Sequence, residues 1–183
     1  WGPMYDMYWE DLKIDWVQVT GAPSVRDIYT DAGIVYVEYA YGMVLALSQD
    51  DGRILWLAPL TGAVDYPPCS DADNVYVFTD GTMNVFEKAT GKPLVKRNPH
   101  VGVIAQPVAA SKFILVGSAQ GQLVGLSKTT GGIMWTRATD TLIIGSAYVA
   151  PDRYYGFTSD GQIRAYDPNT GDLKWQQTVP GRP

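Results

Sequence analysis

The residues able to do covalent or metal chemistry are few. The chain of 183 residues has one histidine, His100, and one cysteine, Cys69. A Ser-His-Asp relay needs its histidine beside a nucleophile held on a sharp turn. His100 sits instead in Arg97-Asn98-Pro99-His100, which reads as a solvated loop between repeats, and no G-x-S-x-G accompanies it. A single cysteine permits no internal disulfide and no cysteine-based zinc site. Beside Pro67-Pro68 it reads as a small buried apolar residue. Carboxylates are more numerous, and Asp50-Asp51 and Asp71-Ala72-Asp73-Asn74 are the clusters that could attract a cation. Neither has the D-x-D-x-D-G spacing that wraps calcium in oxygens, so both read as turn chemistry. No glycine-rich loop precedes a helix, which leaves no phosphate cradle. The expectation is therefore no catalytic residue, no cofactor-binding residue and no metal ligand.

Composition says what elements surround these residues. Apolar residues make up 46% and charged residues 18%, with a net charge of −5. That balance suits a packed core and argues against nucleic acid as partner. No run approaches the ~18 apolar residues of a membrane-spanning helix, so no transmembrane segment is expected. Of 19 acidic residues only Glu10, Glu38 and Glu87 are Glu, and Lys is also sparse. Asp favours turns and caps where Glu favours helix. With abundant Val, Tyr, Ile and Thr, 19 Gly and 12 Pro, the chain reads as all-β, short strands joined by tight turns.

A repeat organises those strands. Gly42, Gly81, Gly121 and Gly161 recur at intervals of 39, 40 and 40 residues, and Gly52, Gly91, Gly131 and Gly171 keep the same spacing. The position four after the second glycine is Trp56, Val95, Trp135 and Trp175, with Trp16 forty residues before Trp56. In the last copy, strands are expected near 145–149, 154–158, 162–166 and 172–178. Asp160-Gly161 reads as the tight hairpin needing positive φ, and Asp167-Pro168-Asn169-Thr170-Gly171 as a longer turn. Four antiparallel strands per ~40 residues make one blade of a β-propeller. Blades are expected at about 24–60, 64–98, 104–139 and 144–179, after an orphan outer strand at 12–20 and an aromatic-rich arm at 1–11. The propeller domain is 12–183.

The run Ala165-Tyr-Asp167-Pro-Asn-Thr170-Gly171-Asp-Leu-Lys-Trp175 matches A-x-D-x-x-T-G-x-x-x-W, and the other copies match it in part. The chain thus resembles the PQQ-type, quinoprotein alcohol dehydrogenase-like β-propeller repeat family across about residues 12–179. The resemblance implies that Trp16, Trp56, Trp135 and Trp175 dock between blades near the turn glycines Gly52, Gly91, Gly131 and Gly171. Val95 then leaves one seam with less buried area, expected to be the weakest. Dehydrogenases of this family hold PQQ against calcium, often over a vicinal disulfide. Cys69 alone cannot form that disulfide, and no calcium set maps onto these residues. Within the family the chain is most similar to propeller lipoproteins of the outer-membrane β-barrel assembly machinery, which implies a periplasmic or extracellular location.

The arm carries Trp1, Tyr5, Tyr8 and Trp9, side chains enriched at interface anchors. Two readings stand: a docking arm for a partner, or a segment packed on its own propeller. Four blades and a strand fall short of the seven or eight this family usually closes. The alternatives are a longer propeller, a ring completed by a second copy or another subunit, and an unusually small ring. The chain begins at Trp1, so a processed chain or part of a longer one is expected. The functional expectation is a non-catalytic scaffold for protein partners. A fragment of a PQQ-dependent dehydrogenase and a carbohydrate-associated module, stacking sugars on an exposed Tyr39 or Tyr41, are the alternatives.

Overall fold

In a computed structural model, residues 15–17, 25–40 and 42–179 are described. Every element among them is a strand. Sixteen strands form four antiparallel sheets of four, each in sequence order: β1–β4 over Val25–Pro59, β5–β8 over Cys69–Arg97, β9–β12 over Val108–Ala138, and β13–β16 over Ile143–Thr178. These are four blades of a β-propeller. The inner strands β1 (Val25–Asp31), β5 (Cys69–Ser70), β9 (Val108–Ala109) and β13 (Ile143–Ala150) all border one axial cleft. Of the expected outer strand at 12–20, only residues 15–17 are described.

The second strand of each of the first three blades reads as near-continuous apolar sequence because both its faces are buried, whereas in β14 (Arg153–Thr158) the face with Tyr155 and Phe157 is only partly covered. Side chains alternate across a strand. In β6 (Asn74–Thr79), Val75 and Val77 join a cluster with Tyr36, Val44 and Trp56 of the first blade, while Tyr76 and Phe78 join Ile114 and Val116 of the third. A third cluster joins Leu115 and Leu123 to Ile143, Tyr154 and Tyr166 of the fourth blade. A fourth joins Val37, Tyr39, Leu45 and Leu47 of the first blade to Trp16. Tyr39 is thus buried, not exposed as its sequence position suggested, and Tyr41 lies outside the described residues.

Two turn types repeat. The turn between third and fourth strands closes with a bond from the glycine N–H to the carbonyl four residues back: Gly52 to Ser48, Gly91 to Glu87, Gly131 to Ser127 and Gly171 to Asp167, at 2.8–2.9 Å. These glycines have φ of 66° to 74°, the left-handed region where a Cβ is disfavoured. The hairpin at Gly161 differs from the expected two-residue turn. Only Gly161 has positive φ there, and Ser159, Asp160 and Gly161 together span the loop, so the glycine follows a tighter turn instead of sharing it. Ala32-Gly33 and Asp80-Gly81 are the two-residue turns in which both residues have positive φ. Just before Trp56, Val95, Trp135 and Trp175 in the outer strands the ladder slips by one residue, at Ala46/Leu47, Val85/Phe86, Gly125/Leu126 and Ala165/Tyr166 of the third strands. A bulge there strengthens the twist of each outer strand.

The indoles lie where Cβ atoms are missing. A Cβ on Gly52 would fall 2.5 Å from the Trp16 ring, and one on Gly91 2.6 Å from Trp56. Trp16 Nε1 donates to the Gln49 carbonyl and Trp56 Nε1 to the Lys88 carbonyl, each at 2.8 Å, inside the turn of the following blade. Trp135 also covers its glycine, Gly171, with a Cβ-to-ring distance of 2.5 Å. Its indole is pivoted, however. Gly125 stands where Ala46 and Ala165 stand in other blades, and the Trp135 ring sinks onto it, so that a Cβ on Gly125 would lie 2.3 Å away. Trp135 Nε1 is left buried without a partner. At the Val95 seam the seat on Gly131 is filled by the Arg97 stem and Met83, with Cβ distances of 2.9 and 3.1 Å, and Val95 packs beside the cluster. Trp175 is 45% exposed, packed on Tyr155 of its own blade.

Glu38 in β2 (Ile34–Tyr39) is a buried carboxyl, 1% exposed, with Oε1 unpartnered. Burial first, and the nearby Asp27 charge second, push its pKa up to about 8 against the opposing pull of Arg26. A carboxyl raised in the folded state releases its proton more readily on unfolding, so stability falls as pH rises from the unfolded value near 4.5 toward 8.

Two outcomes follow from this packing. Glu38→Gln should stabilise the fold by roughly 3 kcal/mol at pH 7 and far less at pH 4.5, read by chemical denaturation at both pH values. Equal effects at the two pH values would show that Glu38 is ionised in the fold. Trp56→Phe should cost at least ~1 kcal/mol more than Trp135→Phe, because the first loses a buried hydrogen bond and the second loses none. Matched denaturation midpoints would count against the pivoted indole.

Candidate functional site

Two regions could engage another molecule, the axial cleft and the face where inner hairpins meet. The cleft, about 300 Å³, is lined by Tyr29, Cys69, Ser70, Val108, Ala147 and Tyr148 with neighbouring residues of the same strands, and no charged side chain is among its lining. Cys69 is buried and free. Loss of hydration pushes its thiol up to about 12, so it stays protonated and is not a nucleophile at neutral pH. PQQ, an anionic tricarboxylate, needs cations to hold it, and this cleft supplies neither cations nor a cysteine pair. These residues do not fit that cofactor.

Above the cleft lies a polar ladder that the sequence reading missed. Lys88, just after β7 (Thr82–Glu87), reaches back to the Asp31 carboxylate at the end of β1 and donates to the Asp71 carbonyl at 2.9 Å. Lys128 in the third blade repeats the reach, pairing with Asp71 at 2.7 Å. Ser70 Oγ donates to Asp31 at 2.5 Å, and the Tyr76 hydroxyl to Asp71 at 2.8 Å. Burial raises the pKa of both carboxyls. The ammonium groups and hydroxyls outweigh it, and each ends below the usual carboxylate range. The signal was available: Asp31 and Asp71 are forty residues apart, and so are Lys88 and Lys128. Asp71 also accepts from the N–H groups of Asp73 and Asn74 at 3.1 and 2.9 Å, while Asp51 accepts from Arg53 N–H at 3.2 Å. The acidic clusters act as turn caps here. Among the described residues no group of His, Cys, Asp and Glu could hold a metal.

The opposite end carries an open cleft of about 590 Å³ between Arg26, Asp65, Tyr66, Asp80 and His100. The Asp65 carboxylate already accepts from the N–H groups of Asp80 and Gly81 at 3.1 and 2.8 Å. His100 takes φ of 56°, its backbone N–H held by Asn98 Oδ1 at 2.7 Å. No hydroxyl or carboxylate is bonded to its ring among the described residues, so no relay assembles. The structure brings Trp16 to Gly52, Trp56 to Gly91 and Trp135 to Gly171, sets Arg97 and Met83 in place of a described indole at Gly131, and leaves Trp175 on the outer surface. Trp1, Tyr5, Tyr8 and Trp9 lie outside the described residues. No helix among the described residues is long and apolar enough to cross a membrane.

Known proteins share this architecture. The BamB of Xanthomonas campestris pv. campestris is 30% identical over an alignment of 162 positions that covers 75% of this chain and 39% of that protein. The quinoprotein alcohol dehydrogenase PedH of Pseudomonas putida is 23% identical over an alignment of 171 positions that covers 87% of this chain and 23% of PedH. The crystal structure of BamB from Moraxella catarrhalis has the same fold, with a TM-score of 0.71 at 23% identity, covering 90% of this chain and 53% of that one. The chain therefore spans well under two thirds of these proteins. A family model described as outer membrane protein assembly factor BamB matches residues 8–96 and again 80–183. On that match, across nearly the whole sequence, the chain belongs to the BamB family.

Proposed function

We propose that the chain is a non-catalytic β-propeller scaffold that binds protein partners in an extracytoplasmic assembly, serving the insertion of outer-membrane proteins. The observation that carries this reading is the family match over both halves of the chain. The chemistry agrees with it. The axial cleft is lined by no charged side chain, and the one thiol is buried and protonated. A scaffold needs rigid blades and displayed loops, which the glycine turns and indole seats provide. The aromatic arm, with Trp1, Tyr5, Tyr8 and Trp9, is proposed as a partner-binding element. A periplasmic location belongs to the same proposal, supported by the likeness to outer membrane protein assembly factors.

The test is a pull-down from solubilised Xanthomonas campestris envelopes, with the 183-residue chain and a version lacking residues 1–11 as baits. Subunits of the outer-membrane assembly machinery should be recovered by the first and lost with the second. Recovery by neither bait would sink the scaffold reading, and equal recovery by both would remove the arm from it. A parallel titration with PQQ and calcium should leave the absorbance of the cofactor unchanged. A saturable spectral shift would favour the dehydrogenase alternative.

A further inference from the structure

Charge is spread unevenly along this acidic chain. Seven of its 14 Lys and Arg fall within residues 88–139, and none of its 19 Asp and Glu does. Lys88, Lys128 and Arg137 are paired with carboxylates of neighbouring blades. Lys92, Lys96, Arg97 and Lys112 form no ion pair among the described residues. Three of these four lie on or beside β8 (Pro93–Arg97), the outer strand of the second blade.

Lys96 stands at the rim of a groove of about 310 Å³ between the edge of the first blade and strands β7 and β8 of the second. Asn84 also lines it, directly opposite Lys96 in the β7–β8 ladder. The side chains of such a pair share one face, with Cβ atoms about 5 Å apart. Asn84 is 4% exposed, and its Nδ2 is committed to the Val77 and Thr82 carbonyls and the Thr79 hydroxyl at 3.0–3.3 Å. Two carbonyls around that nitrogen fix the amide, so Oδ1 is the atom it offers to the groove. Lys96 Nζ donates to Thr61 Oγ1 across the seam at 3.1 Å. The ammonium keeps two further protons and the Thr61 hydroxyl keeps one. Leu60, Phe86 and Pro93 supply apolar walls. In the fourth blade Arg164 takes the ladder place of Asn84 and reaches across its seam to the Thr139 carbonyl. The shorter Asn84 leaves the matching space open.

We infer that this groove binds the C-terminal end of an extended polypeptide whose last residue is apolar. Its donors and acceptor match what a chain terminus presents. The carboxylate meets two donors, Lys96 Nζ and Thr61 Oγ1. The N–H of the last residue, about one ladder step away, meets Asn84 Oδ1. The last side chain lies against Leu60 and Phe86. Lys92 and Arg97 add a positive field along β8, on a chain whose net charge is −5, and that field draws an anion to this strand. An internal peptide segment has the N–H but no carboxylate to place there, and a free amino acid would bring its own ammonium toward Lys96. The groove is a site apart from the aromatic arm, and its occupancy does not rest on the scaffold reading.

Fluorescence anisotropy with the 183-residue chain tests this. The probe is the peptide Gly-Ser-Gly-Ser-Val-Leu carrying fluorescein on its amino end, as the free acid and as the C-terminal amide. The acid should bind saturably and the amide roughly tenfold more weakly, because a charge-assisted contact is lost. Lys96→Gln, an exposed position where the fold is not at stake, should weaken the acid about tenfold and leave the amide unchanged. Asn84→Val, which places the third blade's Val124 at this ladder position, should weaken acid and amide alike by several-fold. Equal affinity for acid and amide, binding of the acid that survives Lys96→Gln, or no binding at about 1 mM protein would overturn the assignment. Displacement of the peptide by an equal concentration of N-acetylleucine would make a small carboxylate the occupant and overturn the polypeptide as ligand.

Discussion

A missing methyl group holds this molecule together. At the turn between third and fourth strands the chain takes a left-handed conformation, so glycine stands there and its Cα is bare. A bare Cα over a tightly closed turn is a flat seat, and a flat seat is what an indole can cover. The four sheets are hydrogen-bonded within themselves, and almost nothing of the backbone ladder crosses between them. Cohesion between blades therefore rests on side chains: the alternating apolar residues of the middle strands, and the aromatic laid on the neighbour's turn. The indole adds direction to that apolar contact, because its N–H must find a carbonyl at a fixed place.

The polar ladder complements the seats. Each lysine reaches across a seam to the aspartate of the preceding blade, on the side of the axis away from the hairpin cleft. An ammonium with a buried stem and a half-buried carboxylate sets the angle between blades more sharply than apolar contact does, though its net contribution to stability is modest. The ladder stops at the third blade, because Ser111 and Pro168 occupy the next places in the series. The fourth blade is then joined by its apolar cluster, by the Trp135 seat, and by Arg137 paired with Asp172 at 3.2 Å.

Much of this was legible in the amino-acid sequence, and the reason is the period. A ~40-residue repeat with two glycines in fixed phase leaves few architectures other than blades, and the four sheets follow from it. What stayed hidden depends on two segments at once. Strand alternation shows that a face is apolar, but not whether another sheet covers it, so the burial of Glu38 and Tyr39 could not be read. The pivot of Trp135 depends on a single absent Cβ at Gly125, a difference the motif shows only as a mismatch. The Asp31–Lys88 pair joins residues 57 apart, a distance that is no multiple of the repeat. Only the parallel recurrence of both partners betrays it. His100 and Cys69 were read as idle from context alone; the structure adds that His100 takes a left-handed loop conformation and that burial raises the Cys69 thiol, neither of which strand alternation reveals.

Trp16 has a consequence for solubility. A molecule with an aromatic row at one end and a bare glycine seat at the other is head-to-tail complementary to itself. If the rotation per copy fails to close, such molecules add without limit into filaments. By lying over Gly52, Trp16 removes one half of that complementarity and leaves the other. It works as a stopper: the turn glycine of the first blade is already covered, so that seat cannot take an indole from another copy.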